Sequence, residues 1–117
     1  FPFAMGWLHV ENARITKSNI NRHLNYILEF DERQKDGETH CIDLLKINIE
    51  GDEYDVLEAI TAKNMQRIRF LQIQFHILDS DSFLWRYGIQ QKLSKTHRLQ
   101  WCYEFVWESW ELIEIFK

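Results

Sequence analysis

The stretch Ile42 to Ile60, IDLLKINIEGDEYDVLEAI, most constrains how this chain can fold. Leu44, Leu45, Ile47 and Ile49 are too close-set for a strand with one face in water, and they predict a strand covered on both sides in a parallel sheet. Tyr54, Leu57 and Ile60 recur at three-residue steps beside Val56, which is the stripe of a helix. Asp52 and Glu53 open that helix, where negative charge suits the dipole. The turn between the two elements is Asn48, Ile49, Glu50 and Gly51. In an open parallel sheet, ligands bind at the turn leaving the carboxyl end of a strand, so Asn48, Glu50 and Gly51 are the first candidate site residues.

A second strand is predicted over Phe70 to Ile77, FLQIQFHI, with Leu71, Ile73, Phe75 and Ile77 on one face and Gln72, Gln74 and His76 on the other. The first strand carries a matching polar row of Lys46, Asn48 and Glu50. A helical crossover between parallel strands brings both carboxyl ends to one edge, so Asn48 and Glu50 are expected to approach His76 and Asp79. Such rows describe either a partly wet sheet face or a pocket lining. Grouped with Asp79 and Asp81, His76 suits a hard cation or a substrate hydroxyl, although no metal is assigned on spacing this common.

Around these strands, Ser18 or Asn19 caps a helix buried through Ile20, Leu24, Ile27 and Leu28 and fading after Phe30. Phe1 to Val10 reads as a short edge strand, Glu11 to Ser18 as a loop, and the charged run Asp31 to Thr39 as a solvated connection. Thr61 to Arg69 reads as a short connection. Ser80 or Ser82 caps a helix running to about Lys95 with Trp85, Ile89 and Leu93 inward, and His97 follows as a polar residue at its end. Leu99 to Val106 and Glu111 to Phe116 look like an antiparallel pair separated by Trp107 to Trp110.

The whole is expected to be one α/β domain over residues 1–117, a size that supports a single core. With a net charge of −4 and no basic face, nucleic acid is not an expected partner. No run approaches the roughly 18 apolar residues of a membrane span. Cys41 and Cys102 lack metal-ligand spacing and read as two buried free thiols.

LLKINIEGDEYDVL resembles the LLKIDxEGxExxVL signature of the FkbM-like S-adenosylmethionine-dependent methyltransferases, matching it at Lys46, Glu50, Gly51, Glu53 and Leu57. LQIQFH, YEFVWESW and, upstream, HLNYIL extend the likeness. The family's acidic residue in the signature strand is Asn48 here, and the acidic pair of its LDDIL segment is Asn25 and Tyr26. The resemblance implies the carboxyl-terminal part of a class I methyltransferase sheet, partial and doubly wound, with parallel strands, helical crossovers and a terminal antiparallel pair. It implies methyl transfer from S-adenosylmethionine to a hydroxyl oxygen of a small-molecule or glycan-like acceptor. Glu50 would orient substrate, His76 would take the hydroxyl proton, and Asn48, Gly51, Glu53 and Asp79 would contact substrate.

In that family the cofactor lies over the first strands of a seven-stranded sheet, after a glycine-rich turn. With Gly6, Gly37, Gly51 and Gly88 as its glycines, the chain has no GxG pair, so the cofactor-binding amino half is expected to be absent and the isolated chain inactive. The signature strand would then be a sheet edge needing a partner, the missing half, or Phe1 to Phe30 to cover it. A catalytically dead, methyltransferase-derived binding module is the alternative reading, and an unrelated α/β domain converging on one motif a third.

Overall fold

A computed structural model describes residues 14–29 and 41–113. The expectations for Phe1 to Val10, Asp31 to Thr39 and residues 114–116 lie outside these. Along the chain come α1 (Ile20–Glu29), β1 (Ile42–Ile47), α2 (Glu53–Ala59), α3 (Ala62–Met65), β2 (Ile68–Ile73), α4 (Ser82–Leu93), β3 (His97–Tyr103) and β4 (Trp107–Leu112). The predicted order of helix, strand, helix, strand, helix and strand pair is present, with the short α3 added inside the Thr61 to Arg69 connection. Thr61 starts α3 by accepting the Asn64 backbone N–H on its side-chain oxygen.

The four strands form one sheet in the order β1-β2-β4-β3. β1 and β2 are parallel, whereas β4 is antiparallel to both β2 and β3. The sheet is therefore mixed, where the sequence predicts a mainly parallel one. A chain that ends in an antiparallel strand pair inserts its last strand between β2 and β3, and this reverses the direction at two of the three pairings.

Register sets the core. Leu45, Ile47, Leu71, Ile73 and Trp110 share one face, on which Tyr54, Val56, Leu57, Ile89 and Leu93 from the helices complete the apolar cluster. The opposite face carries Leu44, Lys46, Phe70, Gln72, Ser109 and Glu111. Among the described residues, β1 is thus not covered on both sides: Leu44 is 49% exposed, and Lys46 lies over the Trp107 ring at 4.8 Å from its centroid.

Several local expectations change for the same geometric reasons. Ile27 falls off the inward stripe of α1 and is exposed, leaving Ile20, Leu24 and Leu28 buried. Asn19 stands just before α1, its carbonyl accepting the His23 N–H, while its side chain accepts the Thr16 N–H and donates to the Arg14 carbonyl. The alternation of β2 stops after Phe75, and Ile77 is exposed. Trp107 to Trp110 belongs to β4, with Trp110 in the core. Cys41 and Cys102 are unpaired thiols, half-buried instead of buried.

His97 opens β3 and is 1% exposed, not a polar residue at a helix end. Its Nε2 lies 2.7 Å from the Ile68 carbonyl and its Nδ1 2.7 Å from Thr96 Oγ1, so a neutral ring donates from Nε2 and accepts from the hydroxyl. Burial holds His97 below the ordinary histidine value of 6.5, against the pull of the Ile68 carbonyl. The unfolded chain then binds a proton that the folded chain refuses. Stability is full above pH about 6.5 and falls as the pH drops through the window down to the folded value. Urea unfolding at pH 8 and pH 5 should show this loss, and His97→Gln should lower stability by about 1–3 kcal/mol at pH 8 while removing part of the acid dependence.

Candidate active site

Because β1 and β2 are parallel and in register through Ile47 and Ile73, their carboxyl ends share one edge, and Gln74 N–H extends the ladder to the Ile47 carbonyl. The turn leaving β1 closes with Asp52 N–H donating to the Ile49 carbonyl, and its two central residues have positive φ, 52° at Glu50 and 108° at Gly51. Positive φ at both central positions is the pattern of a type I′ turn, and this is why a glycine stands at position 51. A Cβ at Gly51 would also meet Leu78 Cδ2 at 2.9 Å. Since that atom is the flexible end of a side chain, the backbone carries most of the penalty. Gly51→Ala should destabilise by more than about 1 kcal/mol in urea unfolding.

The predicted approach of Asn48 and Glu50 to His76 takes another form. Asn48 and Glu50 are exposed at the rim, and Glu53 makes the bridge. The Glu53 side chain is fully buried, accepting the Gly51 N–H on Oε1 at 2.7 Å and the His76 N–H on Oε2 at 2.7 Å. Oε2 also lies 3.2 Å from His76 Nδ1. One carboxylate thereby fixes the turn after β1 against the segment after β2, satisfying two backbone donors that helix and sheet leave over. Tyr54 adds a second tie, its hydroxyl donating to the His76 carbonyl at 2.6 Å. Burial raises the Tyr54 phenol above 10.0 and the Glu53 charge adds to this, so the hydroxyl stays a donor.

Beyond His76 the chain turns into α4. Asp79 is exposed and accepts the Asp81 N–H on Oδ1 at 2.8 Å. Ser82 does not cap the helix: its Oγ accepts from Leu78 and Asp79 N–H and shapes the loop, while Asp81 precedes α4 without a side-chain cap. Among the described residues, no three His, Cys, Asp or Glu side chains gather as a metal site requires, so the option of a cation held by His76, Asp79 and Asp81 is not built.

A second charged cluster adjoins this edge and is not singled out by sequence reasoning. Glu108 is 1% exposed and is paired by register with Ile73 at the end of β2. Its carboxylate accepts from Arg86 Nε at 3.1 Å and Nη2 at 3.0 Å, from Gln90 Nε2, and from Trp110 Nε1 at 2.7 Å. Burial alone pulls the Arg86 guanidinium down, and Glu108 more than restores it, so the net shift is upward. Burial likewise pushes the Cys102 thiol up beside Glu108. Arg86 lies 5.0 Å from the Phe105 ring centroid and 6.0 Å from that of Phe75, which stacks on Tyr54 at 5.3 Å. Trp85, expected inward, is 43% exposed and meets Tyr54 edge-on. A legible signal exists in the sequence: Glu108 shares the inward phase of β4 with Trp110, and a charge in that phase requires a partner.

The model of the methyltransferase FkbM domain matches residues 5–104, most of the chain. The chain belongs to the FkbM methyltransferase family. No curated protein and no solved structure matches it significantly. The FkbM match takes in the Glu50-Gly51 turn, Glu53, His76 and Arg86, and stops short of Glu108. The family suggests S-adenosylmethionine as methyl donor. The Leu78 side chain lies over Gly51, its Cδ2 2.9 Å from where a Cβ would stand.

Proposed function

We propose that this FkbM chain forms the acceptor side of a methyltransferase acting on a hydroxyl of a small-molecule or glycan-like substrate. The observation that carries this reading is the single buried Glu53 carboxylate, which locks the Glu50-Gly51 turn and His76 onto one sheet edge. His76, with a ring 27% exposed, takes the proton from the acceptor hydroxyl. Glu50, exposed and held outward by the left-handed backbone of its turn, accepts a hydrogen bond from a neighbouring hydroxyl and orients the acceptor. Asn48 orients by hydrogen bonding and carries no charge, and the exposed Asp79 offers a further acceptor to the substrate. S-adenosylmethionine supplies the methyl group in this reading and is held by residues other than the described ones.

The test is release of S-adenosylhomocysteine in the presence of methyl glycosides and simple primary and secondary alcohols. It is carried out with the longest product of the reading frame that contains this chain. His76→Gln should lower kcat about 100-fold, whereas Glu50→Gln should chiefly raise KM. An unchanged rate in His76→Gln sinks the assignment. The filled space over Gly51 and the uncharged Asn48 favour a second reading, a binding module without transfer activity. That reading predicts a stable fold and no S-adenosylhomocysteine release with any acceptor.

A further inference from the structure

We propose that Glu53 is a positioning residue that sets the tautomer of His76, so that Nδ1 carries the proton and Nε2 presents a bare lone pair to the acceptor. The inference rests on the reading of His76 as proton acceptor. Glu53 Oε2 receives the backbone N–H of His76 at 2.7 Å and stands 3.2 Å from the Nδ1 of the same residue. A single oxygen therefore grips both the main chain and the ring. Its partner oxygen is engaged by Gly51 N–H at 2.7 Å, so the carboxylate cannot swing away without releasing the turn.

A carboxylate only accepts hydrogen bonds, and Glu53 already accepts from two backbone donors. The hydrogen between Oε2 and Nδ1 then belongs to the ring, and Nε2 is left as the acceptor. Glu53 is fully buried, while the His76 side chain is 27% exposed. Tyr54 prevents the ring from being repositioned through its backbone, since its hydroxyl holds the His76 carbonyl at 2.6 Å. A carboxylate behind a histidine is a recurring way to fix which nitrogen is basic.

The test is the pair of ¹⁵N chemical shifts of the His76 ring in the uniformly labelled 117-residue chain at neutral pH, before and after Glu53→Gln. In the wild type, Nδ1 should resonate as a protonated nitrogen and Nε2 as a bare one. In Glu53→Gln, whose single side-chain oxygen cannot serve Gly51 N–H, His76 N–H and Nδ1–H together, the proton should spread over both nitrogens. In the transfer assay kcat should fall about 10- to 100-fold with KM little changed. A protonated Nε2 with a bare Nδ1 in the wild type overturns the proposal, as does an unchanged tautomer in a folded Glu53→Gln. Should that variant fail to fold, the wild-type spectrum alone decides. The expected tautomer together with full activity in His76→Gln leaves the positioning intact and removes the base reading beneath it.

Discussion

Replacing Glu108 by Ala should lower the free energy of unfolding by about 3–5 kcal/mol, a large fraction of the roughly 5–15 kcal/mol that holds a domain together. The change strands the Arg86 guanidinium, whose side chain is 10% exposed, without its counter-charge, and removes the acceptor of Gln90 and of the Trp110 indole N–H. Glu104, at 3.5 Å from Arg86 Nη1 and 68% exposed, is too solvated to replace it. Taking out both charges tells the pair from its parts. Arg86→Met with Glu108→Leu should recover the part of the loss that comes from the stranded guanidinium, while the Trp110 indole N–H and Gln90 stay without their acceptor. Urea unfolding of the two variants measures the difference. A Glu108→Ala cost below about 1 kcal/mol would show that water reaches the guanidinium and that the cluster is weaker than its geometry.

Glu53→Ala should cost about 3–6 kcal/mol, since hydrogen bonds to a charged acceptor contribute about 1.5–3 kcal/mol each and both backbone donors lose theirs together. The loss should be local before it is global. The Gly51 and His76 amides, both donors to this carboxylate, should exchange with deuterium much faster, while the amide of Leu71 in the core of β2 should change only with overall stability. Equal acceleration at all three amides would mean that Glu53 supports the whole fold evenly and does not tie the edge in particular.

Much of this arrangement is legible in the residues. The change from the close-set run of Ile42 to Ile49 to three-residue spacing after Gly51 places β1, its turn and α2, and the alternation of Phe70 to Phe75 places β2. Parallel pairing then dictates a shared carboxyl edge. What periodicity does not carry is which neighbour a strand obtains. β4 slots between β2 and β3 through contacts far apart in sequence, so the mixed sheet, the open face at Leu44 and the burial of His97 are not visible from local spacing. The site shows the same division. Gly51 is legible because a turn with positive φ requires it, and His76 because it lies just past the carboxyl end of β2. The bridging role of Glu53 is not, because a first-turn acid reads equally well as a solvated dipole partner until the fold brings His76 over it. Arg86 and Glu108, 22 residues apart, meet only through packing of α4 on β4.

In the proposed function this FkbM chain carries the acceptor side of the transfer site, and the donor is held elsewhere. The most direct test of this is calorimetric titration of S-adenosylmethionine and S-adenosylhomocysteine into the purified 117-residue chain, after circular dichroism and size exclusion have shown it folded. No saturable heat is expected from either compound, because the chain has no GxG turn to admit the close backbone approach that such a cofactor needs. Saturable binding of either compound to the folded chain would contradict it, and would place the donor within reach of Glu50 and His76 on this chain itself.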